Sequence, residues 1–189
     1  MRKLDIKNFF LKKDVFDLGD LISNPSLYIG GFDNQFLVDI VEINKEKFIE
    51  DSVLNIEGSV IFKVGGKEIG GIPLFDDLAS LYAYYLNAIE EFLVEEIANF
   101  YYPSQPIEVR MEKASEGNTK ISIDNQSLVV STDLLLRLIL SSSESFFKLL
   151  VNELDLNKYQ YEVKQIERIK ERLKSKFENR GNILGLVRP

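Results

Sequence analysis

The 189-residue chain contains no histidine, no cysteine and no tryptophan. Histidine is the side chain whose unperturbed pKa suits proton transfer near neutral pH. Cysteine is the most nucleophilic common side chain and a soft metal ligand. Their absence excludes a Ser-His-Asp triad, a Cys-His pair and a structural zinc site built on them. Long apolar runs are missing as well, none approaching the roughly 20 residues of a bilayer span. The opening stretch from Met1 to Lys7 is charged throughout and lacks the apolar core of a signal peptide. With no export signal, a cytoplasmic location is the expectation.

What is present is a normal soluble composition, 45% hydrophobic and 28% charged, with 13 Phe and 8 Tyr to supply an aromatic core. Such a length fits one domain over residues 1–189, with a basic C-terminal helix and tail over 158–189. The net charge of −7 is unevenly spread. Residues 158–189 hold nine Lys/Arg against four Glu, a net of +5, while residues 1–157 hold 14 bases and 26 acids, a net of −12. An acidic body repels phosphate backbones and argues against nucleic acid as a partner. The basic end could act as a phosphate-binding arm, but a solvated face, or pairing with the acidic body, is the simpler reading.

Periodicity supplies the elements. Phe36–Ile43 is rich in β-branched residues and reads as a strand. Ile56, Gly58, Val60, Phe62 and Val64 share one face of another strand. Gly65-Gly66 then forms a hairpin turn, and Lys67–Ile72 is the returning strand. Pro73 is placed to open a helix, with Asp76 and Asp77 at its positive end. Leu74, Leu78, Leu81, Tyr85, Ile89, Phe92 and Leu93 form its buried stripe, which predicts a helix reaching about Asn99. Ile107, Val109 and Met111 alternate on a strand, followed by Thr119, Ile121 and Ile123, and then by Leu128–Val130. Ser131 or Thr132 caps a strongly apolar helix running to about Glu153. A last helix, about Lys158 to Phe177, ends at Gly181. Runs of strands joined by short turns, then runs of helices, predict an α+β fold. Its form would be a mainly antiparallel sheet of about five to seven strands, with helices packed on one face and a C-terminal helix.

Several patterns invite chemistry. Gly65-Gly66-Lys67-Glu68-Ile69-Gly70-Gly71 fits neither phosphate-loop fingerprint and is explained by a hairpin and bulge. Glu90, Glu91, Glu95 and Glu96 could gather a hard cation, but a solvated helix face explains them, and no metal or cofactor is expected. Carboxylate pairs of the glycosidase kind carry no specificity among 30 acids. Ser145-Phe146-Phe147-Lys148 has the spacing of a Ser/Lys dyad without its companion motifs. No catalytic residue is assigned.

Recognition is the better reading. In composition the chain resembles the small, acidic, cytoplasmic α+β immunity proteins that bacteria encode against toxins, a likeness that rests on no particular residue. It implies a non-enzymatic module that binds a basic toxin or effector, with negative charge steering the encounter. The candidate partner-binding residues are Asp76, Asp77, Glu90, Glu91, Glu95 and Glu96, with exposed Tyr84, Tyr101 and Tyr102 as anchors. The competing reading is a small-ligand or nucleotide-binding module, with weak carboxylate chemistry and a tyrosine-lined pocket onto which Arg110 or Arg137 converges.

Overall fold

The computed structural model describes residues 4–32 and 56–184, with side chains as far as Lys176. The strand expected at Phe36–Ile43 and the tail beyond residue 184 lie outside these residues. The fold is α+β with antiparallel pairing throughout and a C-terminal helix, as expected, but its strands divide into two sheets instead of one.

The first sheet is built from β1 (Leu4–Leu11), β2 (Ile29–Gly31), β3 (Glu57–Val64), β4 (Lys67–Ile69) and the short β5 (Asp76–Asp77). Its order is β2-β1-β3-β4, with β5 also paired to β3. Between β1 and β2 a one-and-a-half-turn helix, α1 (Leu18–Ser23), starts where the Asp17 carboxylate accepts from the Gly19 N–H at 2.7 Å. The β3–β4 turn is the expected glycine pair, at φ 53° and 90°, the left-handed pair that a two-residue hairpin requires. The returning strand is shorter than expected. At Gly70 (φ 78°) the chain crosses so close to β3 that a Cβ there would lie 2.7 Å from the Val60 carbonyl oxygen.

Helix α2 (Leu78–Glu95) starts later and ends earlier than the Pro73–Asn99 expectation. Its start is fixed by pairing and capping: Asp76 and Asp77 pair with Gly58 and Glu57, and the Asp77 carboxylate accepts from the Ser80 N–H at 2.9 Å. Its end is fixed by Glu96, which takes a left-handed conformation (φ 59°) and donates its N–H to the Phe92 carbonyl. The chain then reverses into β6 (Ile97–Tyr101), the edge strand of a second sheet with β7 (Glu108–Ser115), β8 (Asn118–Ile123) and β9 (Gln126–Ser131) in sequential order. The three later strands match the sequence reading; β6 corrects it.

Helix α3 (Thr132–Asn152) follows β9 directly, and α4 (Gln160–Leu184) closes the described chain. The expected stop at Gly181 is not taken. A glycine costs a helix only about 1 kcal/mol, too little to end one by itself. One apolar cluster takes in Phe10 and Phe62 of the first sheet, Val109, Met111 and Ile121 of the second, and Tyr82, Tyr85, Phe146, Phe147 and Ile169 of the three long helices. α4 packs Ile166, Ile169 and Leu173 on the body, and three bases reach across from it: Arg172 faces Glu90, Lys170 bonds Glu144, and the Lys176 ammonium donates to the Leu93 carbonyl. Part of the positive charge of the C-terminal segment is therefore answered within the chain. Among the described residues no helix is long and apolar enough to cross a membrane.

Candidate functional site

The nine sequence candidates fall into three groups. Asp76 and Tyr102 are each only 3% exposed and cannot meet a partner from where they stand. Asp76 accepts from the Ser104 N–H at 2.8 Å and the Asp77 N–H at 2.8 Å, pinning the loop after β6 to the head of α2. Tyr102 is buried in the main apolar cluster, and burial pushes its phenol upward, as the nearby Asp76 carboxylate also does. Both are corrected from binding groups to structural ones. Residue type gave no local sign of this burial, since Asp76 stands beside Asp77 and Tyr102 beside the exposed Tyr101.

Asp77, Glu90 and Glu96 form the second group, each spent on an internal partner. Asp77 caps α2. Glu90 accepts from the Gln165 amide at 2.7 Å and faces Arg172 on α4 at 3.9 Å. Glu96 holds the Lys113 ammonium at 2.7 Å. The four glutamates therefore do not converge on one cation: Glu90 and Glu96 are held by different internal partners, and Glu91 and Glu95 face solvent.

Tyr84, Glu91, Glu95 and Tyr101 remain, along the margin where α2 and β6 meet, with Tyr101 on the far side of the sheet from the helix. Tyr84, Asn87, Glu91 and Glu95 recur along the solvent side of α2, three or four residues apart. β6 runs back beside this helix, and the Tyr84 ring meets Phe100 edge-to-face at 5.9 Å. Tyr101 is the next residue of that strand, 55% exposed, and Tyr84 is 40% exposed. Among the described residues neither Glu91 nor Glu95 has an ion-pair partner. The margin therefore combines, on its α2 side, one exposed phenol with two carboxylates that have no ion-pair partner among the described residues, and a second exposed phenol on the other side of β6. The sequence reading missed Val94, Ile97 and Asn99, which are exposed on the same margin. The alternation of Ile97, Asn99 and Tyr101 against Ala98 and Phe100 was their signal, hidden by the helical stripe that precedes it.

The competing sites resolve differently. A cleft of about 310 Å³ between β1, α2 and α3 is lined by Asn8, Tyr82, Ser142, Ser145, Ile6 and Phe146, among others. Arg110 and Arg137 do not reach it: Arg110 is held by Glu112 at 3.1 Å on the outer face of the second sheet, and Arg137 by Asp133 at 2.7 Å. The Ser145/Lys148 spacing makes no dyad. Ser145 donates to the Ser141 carbonyl at 3.0 Å, and Lys148 pairs with Glu144 at 2.8 Å. That carboxylate raises the lysine pKa, the opposite of what a general base needs. The triple serine serves contact: Ser142 bridges Asn8 and Tyr82, and Ser143 bonds the carbonyl one turn back.

The chain matches no protein-family model, no curated protein and no solved structure.

Proposed function

We propose that this chain is a non-enzymatic protein-binding module of the immunity type, acting in the cytoplasm to neutralise a basic toxin or effector. The observation that carries the reading is the margin formed by Tyr84, Glu91 and Glu95 on α2 and by Tyr101 across the edge of β6. Aromatic anchors flank carboxylates that have no ion-pair partner among the described residues. Uncompensated carboxylates raise the encounter rate with a basic surface, and tyrosines supply rigid contact area once docked. The rest of the acidic body adds to the same field, since its net charge before residue 158 is −12.

The test is a partner captured from native lysate, its affinity then measured across ionic strength and against variants of this face. Binding should weaken steeply with added salt. Glu91→Lys with Glu95→Lys should slow association, and Tyr84→Ala or Tyr101→Ala should speed dissociation. A partner whose affinity ignores all four positions would overturn the assignment of this face.

A further inference from the structure

Among the described residues β6 is an open edge of the second sheet, bonded on one side to β7 alone. At its ends Lys113 donates its N–H to the Glu96 carbonyl and Tyr102 donates its N–H to the Ile107 carbonyl. In an antiparallel ladder such bonds recur on every second residue. With Ala98 opposite Met111 and Phe100 opposite Val109, the even-numbered residues exchange bonds with β7. Ile97, Asn99 and Tyr101 therefore turn their N–H and C=O groups away from the sheet. Among the described residues none of those groups has a hydrogen-bond partner.

Natural sheets defend such an edge with lysine, proline, a bulge or a covering loop. Within Ile97-Ala98-Asn99-Phe100-Tyr101 there is no charge, no proline and no glycine. The opposite edge of the same sheet is guarded, since the Lys67 ammonium of β4 donates to the Ser127 carbonyl of β9 at 2.8 Å.

We infer that β6 takes up an extended segment of the partner as an added strand, in which basic residues alternate with apolar ones. The inference rests on the reading of this face as a protein-binding surface. Side chains of an added strand alternate between the two sides of the sheet. Those on the α2 side come alongside Tyr84, Glu91 and Glu95, which calls for Lys or Arg. Those on the other side come alongside Ile97 and Tyr101, 38% and 55% exposed, which calls for apolar residues. A second copy of the chain is the poorer occupant. Edge-to-edge pairing of two β6 strands would bring two rows of glutamates together, and like charges in register repel.

The probe is a synthetic peptide of about seven residues alternating lysine and valine, near the usual strand length. It should bind the full chain and slow amide hydrogen exchange at Ile97, Asn99 and Tyr101 in particular. N-methylation of alternate peptide amides should weaken binding by about tenfold, because each removed donor leaves a strand bond unmade. Glu91→Lys with Glu95→Lys should weaken it comparably, and a glutamate–valine peptide should not bind. Unprotected amides at these three positions, or indifference to N-methylation, would overturn strand addition. Protection of the same amides in the protein alone, with a dimeric mass, would assign the edge to a second copy and also overturn it. Failure of the broader reading looks different. There the captured partner ignores Tyr84, Glu91, Glu95 and Tyr101 altogether. Strand addition alone fails if the partner depends on those side chains yet leaves the three amides exchanging freely.

Discussion

The hydroxyl of Tyr82 on α2 lies 2.8 Å from the hydroxyl of Ser142 on α3, and the Asn8 amide of β1 donates to that same serine oxygen at 2.6 Å. Three elements far apart in sequence are joined at one atom. Burial pushes the Tyr82 phenol well above its ordinary value, with the Ser142 hydrogen bond opposing, so the group stays a neutral hydroxyl at any physiological pH.

Ser142→Ala should therefore cost more than Tyr82→Phe. The serine change strands two polar groups, for a loss of about 2 kcal/mol, whereas the tyrosine change removes one bond and leaves the serine oxygen still bonded by Asn8, for about 1 kcal/mol. Urea unfolding of the two variants measures the order. Equal losses would mean that the serine is not the junction.

Glu144 pairs with Lys148 on its own helix and with Lys170 across on α4, and these two ammonium groups hold its carboxyl below the ordinary 4.5. A depressed carboxylate contributes stability that is present above its unfolded pKa and is lost as pH falls through the folded one. Glu144→Gln should lower the unfolding free energy slightly at neutral pH, by less than about 1 kcal/mol because the pairs are partly solvated. The gap to the natural chain should close as pH drops through the glutamate range. A gap that persists in acid would show that the loss is not electrostatic.

Gly58 sits in β3 opposite Phe10 and beneath the first residue of α2. A Cβ there would stand 2.1 Å from the Phe9 carbonyl oxygen and 2.6 Å from Leu78 Cδ1. The carbonyl belongs to a paired strand and cannot move aside. Gly58→Ala should destabilise by about 3 kcal/mol, at the upper end of ordinary overpacking. Denaturant midpoints within error of the natural chain would show that β1 and β3 can part more easily than the pairing implies.

Asp77 caps α2, the helix that carries Tyr84, Glu91 and Glu95. Asp77→Ala should cost about 1 kcal/mol, and Asp77→Asn should recover most of it because an amide oxygen also accepts the Ser80 N–H. Partner affinity should be unchanged in both variants once the protein is folded. An affinity loss in the asparagine variant would return Asp77 to the binding face.

Much of the fold was legible locally. The alternation through Val64, the glycine pair with two positive φ angles, and the strands around Val109, Ile121 and Leu128 depend on neighbours a few residues away. Residues 97–101 were not legible in that way. The apolar stripe of α2 continues in phase into Ile97, and only pairing with Glu108–Glu112 turns that stretch into a strand.

The candidate site was half legible for the same reason. Residue types chose the carboxylates and tyrosines, but exposure is a property of the packed molecule. Tyr101 and Tyr102 are adjacent, and the pleat sends one to solvent and the other into the core. Glu90 and Glu91 are adjacent too, and α4 takes one and leaves the other.

By itself, then, the sequence determined what chemistry is missing, the uneven charge and the local periodicities, because composition and short-range spacing are properties of the chain. Only the tertiary structure decided which acids are neutralised internally and which strand is an open edge among the described residues, because both depend on contacts between segments dozens of residues apart.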